Sequence, residues 1–282
     1  MSAFPSSMHV HTHFGDGRNS PEEMILAAIE LGFTSIGIAE HAYAPYDLDV
    51  CIPKIKMDAY HTEVTHLRDK YAPVIEVSCG LETDFYQMGD YMGAGWDHIV
   101  GSAHYVLSKR TGNYYTVDHN PEIFQEGIDD AGGGSVQDFV EQYGACVLGL
   151  CKFRPDIIGH IDVIAKLNRE NRFFDPAAGW YKAMWEKITD AIAASGCVTE
   201  VNTGGMSRGY TDQPYPSQDL LRMLFVRGAP VTLCSDAHSK ETLDHGFDES
   251  IRLLREVGYR SIKIWRGGRF EDFAIQGVSP QS

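Results

Sequence analysis

The sequence predicts an α/β fold built on a parallel sheet, and three observations predict it. Short β-rich apolar runs recur along the 282 residues. Amphipathic stretches with helix signals fall between most of them, and no internal repeat or low-complexity linker interrupts the alternation. Such alternation implies parallel strands joined by helical crossovers, either closed as a barrel or open and doubly wound. About seven strands with a helix after most of them favour a barrel in a single domain.

In chain order, residues 1–7 read as a flexible tail, and a first short strand leads into His9-Val10-His11. Ser20-Pro21-Glu22-Glu23 is a helix start, with Ser as N-cap, Pro at the first position and acids in the first turn. The helix continues through Met24, Ile25, Ala28 and Leu31, and Gly32 ends it. Buried strands are expected at Thr34–Ala39, Val74–Leu81, His98–Gly101, Ile157–Gly159, Val198–Asn202, Val231–Cys234 and Ser261–Trp265. Helices are expected at Pro176–Ser195 and Ser217–Arg227. The longest irregular piece, residues 107–134, holds Lys109, Arg110, Tyr114, Tyr115 and His119 and reads as a lid or binding insertion.

Composition narrows the function classes. With 43% hydrophobic and 22% charged residues the chain is able to bury a large core. The 24 basic against 39 acidic residues give a net charge of −15, and no basic stripe is visible, which argues against a nucleic-acid polymer as partner. Part of the acidity suits carboxylates held ready for divalent cations, and the rest a solvated surface. The six cysteines never form CxxC, and most sit in apolar runs where a reduced thiol behaves as a small hydrophobe. Met1–Ser7 has neither a basic nor an apolar leader region, and no run approaches a membrane span, so a cytoplasmic chain with no membrane partner is expected.

The histidines carry the chemistry. Reading onward from each predicted strand end meets His9 and His11, then Glu40-His41, Glu82, His104, His160, and finally Asp236 and His238. In β/α barrels the strand C-termini share one face, so these groups converge. One buried histidine is most often a satisfied core residue; this many at successive strand ends, with carboxylates, reads as a metal site. Residues i and i+2 of a strand share a face, so His9 and His11 point together, and Asp236-Ala237-His238 repeats the spacing. Imidazoles with carboxylates suit Zn, Mn or Fe. His13 in a continuing strand would share that face, making it a candidate substrate contact and proton donor. His61, His66, His98, His119 and His245 fall in helices, loops or mid-strand and read as surface or core residues.

His9-x-His11-Thr12, Asp16-Gly17 and Ser20-Pro21-Glu22-Glu23 together resemble the opening of the polymerase-and-histidinol-phosphatase (PHP) family. Glu40-His41, Gly80-Leu81-Glu82, Gly101–His104, Ile158-Gly159-His160, Glu200-Val201-Asn202 and Ser235–His238 follow in that family's order. Gly101–His104, Gly159–Asp162 and the Glu-x-Asn-Thr phrase resemble its stand-alone histidinol-phosphate phosphatase branch. Glu40 departs from the Asp that many members carry there. The resemblance implies a distorted (β/α)7 barrel with three divalent ions. One would take His9, His11, Glu82 and Asp236; a second would share Glu82 and add His104 and His160; a third would take Asp16, His41 and His238.

The implied activity is hydrolysis of a small phosphate ester, with L-histidinol phosphate as leading substrate, by metal-activated water held between two ions at Glu82. Glu82, Asp236 and His238 stand at the expected reacting centre. Arg208, after Gly204-Gly205, is the expected phosphate-binding cation, with Lys166 and Arg169 as second choices that could equally be solvated helix cations. Alternatives are a cyclic phosphodiester, a sugar phosphate or a nucleotide phosphate on the same metals, or a PHP domain kept only for metal-dependent structure. A monomer or small homo-oligomer is expected.

Overall fold

The computed structural model describes residues 4–275. Its strands are β1 (Ser6–Ser7), β2 (Ser35–His41), β3 (Glu76–Asp84), β4 (His98–Ser102), β5 (Tyr105–Leu107), β6 (Tyr114–Thr116), β7 (Ile157–Ile158), β8 (Val198–Asn202), β9 (Val231–Cys234), β10 (Ser261–Arg266) and β11 (Arg269–Ala274). Nine of them form one sheet in the order β1-β2-β3-β4-β7-β8-β9-β10-β11, while β5 and β6 form a separate hairpin. Every neighbouring pair from β1 to β10 is parallel. Each stretch expected to be a strand is one, because each is a short apolar run that the sheet buries.

The sheet curls until its far ends approach one another. Val10 makes a parallel bridge to Ala237, with His11 N–H donating to the Ala237 carbonyl at 2.9 Å and Asp236 N–H to the His9 carbonyl at 3.0 Å. At the opposite rim the Ser35 hydroxyl donates to the Trp265 carbonyl at 2.9 Å. The backbone N–H groups of Gly267 and Gly268 donate to the Glu76 carboxylate.

Helices α1 (Pro21–Glu30), α2 (Met57–Tyr71), α3 (Met88–Tyr91), α4 (Pro121–Asp130), α5 (Val136–Phe153), α6 (Gly179–Ser195), α7 (Gly204–Ser207), α8 (Gln218–Val226) and α9 (Phe247–Val257) supply the crossovers and cover the sheet. The α1 start is a complete capping box: Glu23 N–H donates to Ser20 Oγ and Ser20 N–H to the Glu23 carboxylate. Apolar faces from the helices and the sheet merge into one large core, and a small second cluster around Met8, Val100 and Trp265 fills the curl of the sheet. All six cysteines are buried free thiols.

Two expectations need correction. Phe4 is fully buried and Ser6–Ser7 is β1, so residues 4–7 are not a tail; residues 1–3 of that expectation lie outside the described residues. Segment 107–134 is not one irregular piece, since it holds β6 and α4. Its Asn120-Pro121-Glu122 repeats the helix-start chemistry of Ser20-Pro21-Glu22, and the Asn120 side chain accepts from Ile123 N–H to begin α4. The Asp130 carboxylate then ties the segment together, accepting from Arg110, Thr111 and Tyr115. One strand is not among those expected at all: β11 follows β10 directly as an antiparallel hairpin. Its Gly267-Gly268 turn, at φ 59° and 74°, has the left-handed pair that tight hairpins demand.

Candidate metal centre

The strand ends open into a cavity of about 580 Å³ whose lining includes Asp16, His41, Glu82, His104, His160, Arg208, Asp236 and His238. Glu82, near the end of β3, is its centre. One carboxylate oxygen, Oε2, lies 3.2 Å from His9 Nε2, 3.5 Å from His11 Nε2 and 2.8 Å from His41 Nδ1. The other, Oε1, lies 3.0 Å from His160 Nε2 and 3.3 Å from His104 Nε2, and accepts from the Ser102 hydroxyl at 2.6 Å. Period-two alternation explains why β3 aims Glu82 into the curl of the sheet while β2 and β4 deliver His41 and Ser102 beside it.

Ligand-capable atoms gather in three overlapping groups: His11, Asp16, His41 and His238; His9, His11 and Asp236; and His41, Glu82 and His104, each within 4.8 Å. Asp236 Oδ1 is 3.2 Å from His11 Nε2, and Asp16 Oδ2 is 3.2 Å from His238 Nε2. The residues of the three implied ligand sets therefore meet in one place, with His11 and His41 standing between groups.

The electrostatics favour cations. Burial alone would neutralise Glu82, yet His41, His9 and His104 hold its carboxyl well below the usual range. Burial is likewise outweighed at Asp236, held low by Arg208 and His9. Burial, with His238 and His41 alongside, pushes His11 down to about 3, so its imidazole is neutral with a lone pair to offer. His41 goes the other way: Glu82 and Asp16 overcome burial and lift it to about 9. Two further atoms, His11 Nδ1 and His160 Nδ1, are buried with no hydrogen-bond partner among the described residues. Imidazole and carboxylate donors this dense, with buried unpartnered nitrogens, fit divalent ions of the Zn, Mn or Fe class.

A ring of acids orients the ligands. Glu200 accepts at 2.7 Å from His9 Nδ1 and takes the His160 N–H and the Asn202 amide on its other oxygen. Asp84 accepts from His104 N–H at 2.9 Å, and Glu40 from Thr12 N–H at 2.8 Å. Burial lifts the Glu40 carboxyl to about 8 against those Thr12 donors. Sequence reasoning quoted Glu200 without a role and passed over Asp84. Both carried a usable signal, since Glu200-x-Asn202 and Glu82-x-Asp84 repeat the spacing that flagged His9-x-His11. Such partners are typically worth 10–100-fold in metal affinity. Glu200→Gln is therefore expected to weaken metal binding by about that factor, read by competition with a chelator; an unchanged affinity would reduce Glu200 to a backbone prop.

The other expected site residues divide. Arg208 reaches the cavity, donating to Asp236 Oδ2 at 2.9 Å with His238 Nδ1 at 3.0 Å. Lys166 also lines it, paired with Asp118 at 3.1 Å and lying over the Tyr210 ring. Arg169 does not: its guanidinium donates to the Gly209 and Tyr210 carbonyls and holds the loop after α7. His13 is exposed and stacks on Phe14, because the chain leaves the extended conformation after Thr12 and turns over His13–Asp16. Alternation cannot carry past a turn, so His13 lies outside the cavity lining. His119, set aside as a surface or core residue, is exposed on that lining. His98 is a core residue as expected, its Nε2–H donating to the Met8 carbonyl at 2.7 Å just before His9.

Comparison with known proteins places this fold. A Deinococcus radiodurans protein described as a probable histidinol-phosphatase is 28% identical over 264 residues, 90% of this chain and 94% of its own. The Bacillus subtilis histidinol-phosphatase is 23% identical over 262 residues, 85% of this chain and 96% of its own. The fold matches the crystal structure of a Lactococcus lactis histidinol phosphate phosphatase complexed with zinc, L-histidinol and phosphate. That match has a TM-score of 0.74 and 20% identity, covering 95% of this chain and 98% of the other. The family model described as the PHP domain matches residues 7–204, a span holding the His9-x-His11 pair, Glu82, His104 and His160, and by that match this chain belongs to the PHP domain family.

Proposed function

We propose that this chain is a metal-dependent phosphomonoesterase that hydrolyses L-histidinol phosphate to L-histidinol and phosphate. The observation that carries the proposal is Glu82, one buried carboxylate with His9, His11 and His41 on one oxygen and His104 and His160 on the other. The relatives' activity and the full-length coverage support the choice of substrate. We further propose that the curl of the sheet, joined through Val10 and Ala237, is a distorted (β/α)7 barrel, and that segment 107–134 borders the substrate as an insertion.

Three divalent ions are proposed, with His9, His11, Glu82 and Asp236 holding the first, Glu82, His104 and His160 the second, and Asp16, His41 and His238 the third. When bound, such ions supply Lewis acidity, lowering the pKa of coordinated water towards neutrality and neutralising phosphate charge. The chain's own part is positioning. Arg208 presents a fork of N–H donors at the edge of the centre, suited to a phosphate oxygen, and Lys166 adds a second cation held by Asp118. Cys51 also lines the cavity, but its thiol donates to the Ala44 carbonyl and burial holds its pKa up, so it is not poised as a nucleophile. Direct hydrolysis, with no covalent intermediate on Cys51, is the route this reading takes. His13, outside the cavity, is not the proton donor.

Phosphate release from histidinol phosphate, measured beside cyclic, sugar and nucleotide phosphates with Mn or Zn supplied, tests the reading. Histidinol phosphate should be the preferred substrate; its failure to turn over while another ester is hydrolysed would overturn it. Arg208→Ala is expected to raise KM for that substrate about 10-fold or more. An unchanged KM would leave Arg208 as a support for Asp236 alone.

A further inference from the structure

Most acids on the cavity lining meet a cation or an imidazole. Asp118 is matched by Lys166, Asp236 by Arg208, Asp16 by His238, and Asp84 sits 3.7 Å from His104 Nδ1. Asp47 differs. It follows β2 on the same cavity lining, half-buried, and its side chain accepts a hydrogen bond from the Tyr105 hydroxyl, not from a cation.

Aromatic rings flank it. Tyr46 stacks on Tyr114 with centroids 3.8 Å apart and planes 13° from parallel, and it meets the edge of Tyr105 at 4.9 Å. The Tyr46 hydroxyl lies against the Gln87 side-chain oxygen and the Asp84 carboxylate, which fixes the ring. Tyr46 and Asp47 come from the loop after β2, Tyr105 and Tyr114 from the β5–β6 hairpin. Two parts of the chain thus converge to set a carboxylate beside a packed tyrosine cluster on the cavity lining, where a cationic group would gain a charge-assisted hydrogen bond.

We propose that Asp47, walled by Tyr46, Tyr105 and Tyr114, is a specificity determinant that selects phosphate esters whose leaving group carries a positively charged nitrogen. The inference rests on the phosphomonoesterase reading and deepens it. With phosphate held at the metal centre and Arg208, the remainder of a short substrate extends along this wall. A neutral leaving group leaves a half-buried carboxylate short of solvent, and an anionic one adds repulsion. An ammonium there gains a charge-assisted hydrogen bond. Burial, acting against His41 and His104, already pushes the Asp47 carboxyl up.

The test compares esters that differ in one charge. With metal-replete protein, kcat/KM is measured for O-phosphoethanolamine and for ethyl phosphate, and the ratio is followed across variants. The wild type should favour the amino ester. Asp47→Asn should lower that ratio about 10-fold, and Asp47→Lys should turn preference towards phosphoglycolate. No wild-type preference, a ratio unchanged in Asp47→Asn, or an equal loss on both esters would overturn the proposal. If the amino ester is favoured but histidinol phosphate is not hydrolysed, the assigned substrate fails while the role of Asp47 is still decided by the ratio.

Discussion

Glu82→Gln lowers kcat by about 10³-fold and strips metal from the centre, the largest single-residue effect expected in this chain. The substitution keeps size and shape, so the loss isolates charge and donor chemistry. Both Glu82 oxygens are in use: His9, His11 and His41 crowd one, His104, His160 and the Ser102 hydroxyl the other. An amide offers one ligand oxygen and turns its other end into a donor aimed at nitrogens that should be lone pairs. Glu82 is also the counter-charge that lifts His41 and His104 above their ordinary values despite burial, and it adds to Glu200 in lifting His9. Without it, cations of any kind are less welcome. Steady-state kinetics and metal analysis on the same preparation check this, with the melting temperature as a control for folding. Full metal content with near-normal kcat would remove Glu82 from its central role.

The parts of this arrangement that were readable before folding share one property: they depend on local period. Strand alternation placed His9 with His11, and the capping chemistry of Ser20 through Glu23 located α1. The same spacing marked Asp236 and His238, although Asp236 itself takes a left-handed φ of 49° past the end of β9. Strand ends then supplied His41, Glu82, His104 and His160. What stayed hidden depended on contacts between distant segments or on a break in period. His13 fails because a turn follows Thr12. Arg169 and Lys166 are both cations after His160, and only tertiary contact decides that one clasps the Gly209 and Tyr210 carbonyls while the other faces Asp118. Asp47 and Tyr114 lie far apart in sequence, and nothing local brings them together on one wall.

Chelation should abolish activity entirely, and Mn or Zn should restore it. The metal-free centre is a poor structure by itself, with His41 held protonated and His11 forced neutral beside it. Binding that saturates the folded state at about 1,000 times Kd adds about 4 kcal/mol, a melting shift on the order of 10 °C for a chain of this size. The pH dependence has a definite sign. His41 in the metal-free protein titrates at about 9, above its ordinary 6.5, so its contribution to metal-free stability is complete below 6.5 and is lost as pH rises through 9. Metal needs the neutral imidazole, so loading at pH 7 to 8 expels that proton, and apparent affinity climbs with pH until His41 is already neutral. Calorimetric titration in buffers of different ionisation enthalpy reads the protons released, to which His9 and His104, also raised, contribute beside His41. Proton release at pH 7 to 8 that is unchanged in His41→Asn would remove His41 from the ligand set, and a chelated protein with unchanged activity and melting temperature would remove the metal centre itself.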